Sequence, residues 1–251
     1  MTAYDGYGAI ARVYDKLNAE LDYGAWADFF EACFDRYLPA RPVLLLDLAC
    51  GTGSISVEMA KRGYDVIGVD SSIGMLNSAR SKAYENDMQI LLLNQSMDEL
   101  DLYGTVDCAV CVLDSINHLD DAAQVRKTFE KVSLFMNPGG AFAFDVNTLY
   151  KHKNVLGDNV FVYDLDELYC IWQNSWNEED SSVDISLDFF EEEDGAYYRS
   201  GESFTERAYE LDDIALWLEE AGFEVVGIYD DMTTEKARPE TERAVFLAKK
   251  K

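Results

Sequence analysis

VLLLDLACGTG, residues 43–53, is an apolar run broken only by Asp47 that ends in Ala49, Cys50 and the glycines Gly51 and Gly53. A run of this kind suits a strand buried on both faces of a parallel sheet. The residues that follow, SISVEMAKRG, carry helical spacing, with Gly63 placed to end the helix. Between strand and helix, the two glycines permit φ values closed to other residues. Without Cβ atoms they also let a ligand lie against the main chain at a helix N-terminus. A dinucleotide site places a third Gly or Ala three residues further on, where this chain has Ser56. By itself the turn stays open between a dinucleotide, another ligand that hugs the backbone, and a plain tight turn.

The alternation of strand and helix continues on both sides. Upstream, DYGAWADFFEACFDRYL sets Trp26, Phe29, Phe30, Cys33, Phe34 and Tyr37 on one helical stripe that Pro39 and Pro42 stop. Downstream come strand YDVIGVD, helix SSIGMLNSARSKAYEN, strands MQILLL and DCAVCVL, helix DAAQVRKTFEKVSLFM, a turn NPGG and strand AFAFDV. This order predicts an α/β fold with a doubly wound, mostly parallel sheet, whose ligand crevice lies beyond the carboxyl ends of its strands. From 151 to 208 the pattern changes to period two, which predicts a small antiparallel sheet inserted after the fifth strand. Helix LDDIALWLEEAG and strands FEVVGIYD and ERAVFLAKK then complete a seven-stranded sheet. The predicted organisation is a core of residues 1–150 and 209–251, with an N-terminal helical segment, and a lid of residues 151–208.

Composition excludes more than it identifies. The chain is 48% hydrophobic and 13% aromatic, too apolar for disorder, and no apolar run approaches the roughly 20 residues that span a bilayer. The amino terminus MTAYDGYGAIARVYDKL has neither a basic nor an apolar leader segment, which points to a cytoplasmic protein. A formal charge of −27 repels a phosphate backbone and argues against nucleic acid as substrate. Five scattered cysteines are expected to be reduced. Cys108 and Cys111 form a CxxC, but residues three apart on a strand point to opposite faces. With His118 and His152 the sole histidines, no metal site is expected. No heptad pattern or long apolar stripe indicates an oligomeric state.

Asp70 closes the second strand in VIGVDSS. Its carboxylate either accepts both hydroxyls of a ribose or caps the helix that begins at Ser71 or Ser72, and one reading does not exclude the other. Paired with the glycine turn, it points to an adenosine-containing ligand. At this point the sequence resembles the class I S-adenosylmethionine-dependent methyltransferases over nearly its whole length. DLACGTG matches their first motif, GVDSSIGML their acidic second-strand motif, and NPGGAFAFD the turn into their fifth strand. The resemblance implies S-adenosyl-L-methionine as cofactor. Asp47, Ala49, Gly51 and Gly53 would surround its methionine part, Asp70 its ribose, with Ser71 and Met75 alongside and the Leu113 carbonyl on its amino group. Where the family often has an acid after strand three, this chain has NQSMDEL, so the adenine would rest on the Ser96 hydroxyl and the Met97 backbone. Tyr23 and Trp26 would close over the cofactor from the amino-terminal side.

The segment VLDSINHLDD after strand four would face the transferred methyl. An imidazole titrates at about 6.5, so His118 is the first candidate base, with Asp114 and Asp145 next. All three also read as packing or capping residues. Within the family, the likeness is to amino-sugar N-methyltransferases, which share VYD (Val13–Asp15) and an S-I-x-H stretch (Ser115–His118). It implies that Tyr14 and His118 approach the acceptor. In the insert, Tyr169, Trp172 and Trp176 read as lid aromatics or as plain sheet packing, and Arg199 or Arg207 as anchors for an acidic group. The expected activity is methyl transfer to a small-molecule acceptor, an amine among the candidates. The alternatives are modification of RNA or protein and cofactor binding without catalysis.

Overall fold

A computed structural model describes residues 10–251; the first nine, part of the stretch read above for a leader, lie outside the described residues. Helices α1 (Ile10–Leu17) and α2 (Tyr23–Tyr37) precede strand β1 (Leu44–Leu48). Asp22 starts α2 by accepting the Ala25 N–H at 2.9 Å. Its buried stripe is Trp26, Ala27, Phe30, Cys33 and Phe34. The chain then alternates through α3 (Ser54–Lys61), β2 (Asp65–Asp70), α4 (Ile73–Glu85), β3 (Leu91–Asn94), β4 (Val106–Cys111), α5 (Ala122–Leu134) and β5 (Met136–Asn147). Four strands follow, β6 (Val160–Leu165), β7 (Leu168–Asn177), β8 (Ser182–Glu193) and β9 (Ala196–Arg207), before α6 (Leu211–Glu220), β10 (Phe223–Asp230) and β11 (Arg243–Lys250).

Seven strands form one sheet in the order β3-β2-β1-β4-β5-β11-β10. The neighbours from β3 to β5 are parallel, and β11 runs antiparallel to both of its neighbours. The order turns back between β1 and β4, the place where open α/β sheets leave a crevice. One face buries Phe129, Phe142, Phe144, Phe246 and Trp217; the other buries Phe30, Phe34, Leu45, Met59 and Val110. Cys111 belongs to the first face and Cys108 to the second, as their spacing requires. All five cysteines are buried and unpaired.

Two local expectations are corrected. NPGG is not a turn that precedes a strand. It lies inside β5, whose pairing with β4 jumps from Val106↔Met136 to Cys108↔Ala141. The extra residues bulge out of the ladder, anchored where Asn137 donates to Asp107 at 2.9 Å. Residues 151–156, expected to open the antiparallel insert, form a π-helical turn instead.

The remaining four strands form the antiparallel sheet β6-β7-β8-β9. On β8, Val183, Ile185, Leu187 and Phe189 are buried and alternate with polar residues, the period-two pattern in three dimensions. Their inward face packs with Ile10, Ala11 and Val13 of α1 and Met75 of α4. Polar contacts fasten α1 over the glycine turn: Lys82 donates to Asp15 at 2.9 Å, Thr52 at 3.0 Å and Ser54 at 2.6 Å. Among the described residues, no helix is long and apolar enough to cross a membrane.

Gly53 shows why the turn is built from glycine. Its φ is +77°, and a Cβ there would lie 2.9 Å from the Ala79 Cβ and 3.2 Å from its Cα. Overpacking added to a left-handed conformation costs about 2 kcal/mol or more. Gly53→Ala is therefore expected to lower the melting temperature by at least about 4 °C, read by circular dichroism.

Candidate active site

Beyond the carboxyl ends of β1, β2 and β4 lies a cavity of about 320 Å3. It is walled by the glycine turn, α1, the segment after β4 and the inner face of the four-stranded sheet. Among the residues singled out from the sequence, Tyr14, Ala49, Gly51, Asp70, Ser71, Met75, Met97, Leu113, Asp114, His118 and Trp172 line it. Three of the main-chain positions along its rim are left-handed without being glycine: Ala49 at φ 57°, Leu113 at 58° and Asp114 at 51°. Non-glycine residues pay for that conformation, and they gather where two strands end against the cavity.

Asp70 does structural work as well as facing the cavity. One oxygen accepts the Gly51 N–H at 2.9 Å and the other the Ser72 N–H at 2.8 Å. The carboxylate thus ties the glycine turn to the start of α4, and each oxygen keeps a second lone pair for a ligand. Burial pushes its pKa up, and the two N–H donors hold it partly down. Gly51 behaves differently from Gly53. Its φ is +53°, yet a Cβ built on it meets no protein atom within 4 Å, so the open space belongs to the cavity.

Asp47 and Gly53 do not reach the cavity surface. Asp47 is wholly buried beneath the turn. Ser56 donates to its Oδ2 at 2.5 Å, while Oδ1 has no hydrogen-bond partner. Burial raises its pKa to about 7, against the lowering effect of Ser56. Ser56, the residue in the dinucleotide glycine position, is therefore a buried hydroxyl that serves this acid.

The far wall carries a charged cluster that the sequence reading found only in part. Arg243, at the start of β11, bonds to Asp145 and lies 3.2 Å from Asp114. Burial opposes the charge on Asp114, but Arg243 overcomes it and holds the carboxyl below its ordinary range. Asp145 goes the other way, raised by burial that Arg243 offsets incompletely. His118 sits between two carboxylates, its Nε2 3.9 Å from Asp114 and 3.8 Å from Glu206. Its ring lies 5.0 Å from that of Phe204. The fully buried Asn117 fixes this arrangement by donating to the carbonyls of Asn147 at 3.1 Å and Arg207 at 2.7 Å, while accepting the Asn147 N–H at 2.9 Å. The segment that bears His118 is thereby clamped to both sheets.

Several expected residues lie elsewhere. Trp26 is 3% exposed in the core under the large sheet, so it does not close over the cavity. Tyr23 packs its ring against that same core, with its hydroxyl beside Ser54 after the glycine turn and near Tyr14. Ser96 is not among the residues that line the cavity, and its hydroxyl donates to Asp98 at 2.7 Å. Arg199 pairs with Asp188 at 2.7 Å and Arg207 with Asp180 at 3.7 Å, so neither is the cavity's cation. Tyr169 stacks edge-on against Phe190, and Trp176 packs beside the lid's core. Arg243, Lys151 and Glu206 line the cavity instead. Glu206 had a readable signal: it stands opposite Val183, at an inward position of a period-two strand where an apolar residue is expected. Arg243 had none, because Asp114 and Asp145 come from distant segments.

His118 Nε2 and one oxygen each of Asp114 and Glu206 lie within 4.8 Å of one another. Asp114 Oδ1 pairs with Arg243 and Glu206 Oε2 accepts from Asn147, while Asp114 Oδ2 and Glu206 Oε1 are the oxygens that face His118.

Residues 45–140 match the methyltransferase-domain family. The "Putative methyltransferase" of Geobacillus sp. (strain WCH70) is 36% identical, over 97% of this chain and 99% of that protein. The chain belongs to the class I S-adenosylmethionine-dependent methyltransferases. An S-adenosylmethionine-dependent methyltransferase from Clostridium acetobutylicum superposes at a TM-score of 0.88 with 34% identity, covering 97% of this chain and 98% of its own. At 17% identity, the amino pentose methyltransferase CalS10 of Micromonospora echinaspora shares the fold, with a TM-score of 0.77 over 95% of this chain and 97% of its own.

The methyltransferase uses S-adenosyl-L-methionine, and its cavity fits that cofactor. The fit rests on two features: open space against the bare backbone of Gly51 and a carboxylate with spare acceptor capacity at Asp70.

Two outcomes follow from this geometry. Gly51→Ala meets no clash and bears only the left-handed strain of about 1 kcal/mol, so it should melt a few degrees below the wild type, yet lose at least about tenfold in cofactor affinity by calorimetric titration. Asp47 binds a proton in the folded chain at pH values where the unfolded chain has released it. It therefore makes the cofactor-free protein less stable as pH rises from about 4 towards about 7. Asp47→Asn should remove that component from a series of melts across this window.

Proposed function

We propose that this methyltransferase transfers its methyl group to the nitrogen of a small, amine-bearing metabolite. The observation that carries the reading is the close approach of His118, Asp114 and Glu206 on a wall that also presents Tyr14, Trp172 and Phe204. Carboxylates and aromatic faces together attract an amine and its methylated, cationic product. The four-stranded sheet serves as the lid that selects the acceptor. That CalS10 is an amino pentose methyltransferase on the same fold is consistent with an acceptor of this class.

In this reading Asp70 holds the ribose hydroxyls. Ala49, Gly51 and Gly53 shape the backbone around the methionine part, with Asp47 beneath, while Ser71, Met75, Met97 and Leu113 border the remainder. The bound cofactor supplies a methyl group activated by a sulfonium. Displacement is in line, so the chain's main task is to hold the acceptor aligned and to exclude water. Tyr14 contributes a neutral phenol: burial, then Tyr23, Asp114 and Asp70, push its pKa far up, so it hydrogen-bonds rather than acts as a base. His118 receives the acceptor's proton. The buried, unpaired cysteines suit a reducing cytoplasm.

A labelled-methyl screen over amines, amino sugars, hydroxy compounds and RNA tests the acceptor class. Label should enter an amine and not RNA; transfer to hydroxy compounds alone would refute the assignment. On the acceptor so found, His118→Ala should lower turnover by about a hundredfold. An unchanged rate and pH profile would remove His118 from the chemistry. Asp70→Asn should weaken cofactor binding by at least about tenfold, the effect of losing a charged hydrogen-bond partner.

A further inference from the structure

The chain has two histidines, and both face one carboxylate, Glu206. His152 is wholly buried in the turn after β5, and Glu206 is 3% exposed on β9. The hydrogen-bond partners of His152 determine its protonation. Its Nδ1 lies 3.0 Å from the carbonyl oxygen of Thr148. A carbonyl only accepts, so Nδ1 carries a hydrogen. Its Nε2 lies 3.2 Å from Glu206 Oε2. A neutral ring protonated at Nδ1 would aim the Nε2 lone pair at a carboxylate oxygen in a dry interior, so the contact requires one more proton.

The location of that proton follows from the neighbours. Asn147 Nδ2 donates to the same Glu206 oxygen at 3.3 Å. The amide is oriented independently by Lys151, which donates to its Oδ1 at 2.8 Å. A donor already aimed at Oε2 favours the carboxylate form of Glu206 and places the shared proton on His152 Nε2.

We infer that His152 is an imidazolium locked against an ionised Glu206, and that this pair keeps a charged carboxylate facing His118. Burial alone favours a neutral acid, which would offer His118 no charge. With Oε2 held on two sides, Oε1 faces His118 Nε2 at 3.8 Å, opposite Asp114. When His118 takes up a proton, both carboxylates stabilise the cation. Glu206 and His152 are thus positioning residues for His118. Their catalytic use rests on the proposed role of His118, but the protonation of His152 does not.

The test needs neither cofactor nor acceptor. In the full-length protein labelled with 15N-histidine, two imidazole spin systems appear in a long-range 1H–15N correlation spectrum, and His118→Gln removes one to assign the other. At pH 7.5, His152 should show both ring nitrogens protonated. Glu206→Gln, which preserves shape and can donate to Nε2, should convert it to a neutral ring with Nε2 displaced far downfield. A neutral His152 in the wild type, or an imidazolium that persists in Glu206→Gln, overturns the inference. Either result leaves the methyltransferase reading intact, because methyl transfer is measured separately.

Discussion

The pairing of Arg243 with Asp114 and Asp145 is the constraint on which the active site depends. Two carboxylates close together and away from water repel each other, and burial favours their neutral forms. A guanidinium between them offsets both effects, and its fork of donors serves two partners at once. The carboxylates of Asp114 and Asp145 in turn hold the guanidinium charged against the opposing effect of burial. Arg243 opens β11, Asp145 lies on β5, and Asp114 follows β4, so one side chain joins three chain segments at the edge of the cavity. Losing one member of such a group leaves a buried charge without a partner.

The glycine turn depends on a similar economy. Asp70 accepts N–H groups from the turn and from the start of α4, so the carboxylate that shapes the cofactor site also holds its own scaffold together. Asp47 below the turn has one oxygen satisfied by Ser56 and one left over. Left-handed Ala49, Leu113 and Asp114 add strain at the same rim. Such a rim is held in shape before any ligand arrives, because the surrounding sheet and helices over-determine it.

The small sheet supplies the other half of the site. Its inward face is mostly apolar and packs on α1, but Glu206 interrupts that face and turns towards His118 and His152. Asn117 joins the end of β5 to the end of β9 through main-chain groups, so the lid is clamped to the segment that bears His118.

Much of this was legible along the chain. The continuous apolar run before Gly51, the alternation of strands and helices, and the change to period two after residue 150 depend on local burial patterns, which a linear sequence records directly. The glycine turn and Asp70 are also local, within two adjacent strand–helix junctions, so an adenosine-containing ligand could be read from them, and the family resemblance then implied the cofactor. NPGG was misread because a bulge and a turn use the same residues and differ only in what pairs with them. Trp26, Arg199 and Arg207 have side chains suited to a site but face elsewhere, since the face they occupy is set by packing. What only the tertiary structure decided is the acceptor wall. Glu206, His152, Lys151 and Arg243 meet His118 and Asp114 across 129 residues of chain, and a charge selects its partner by distance in space, which spacing along the chain does not encode.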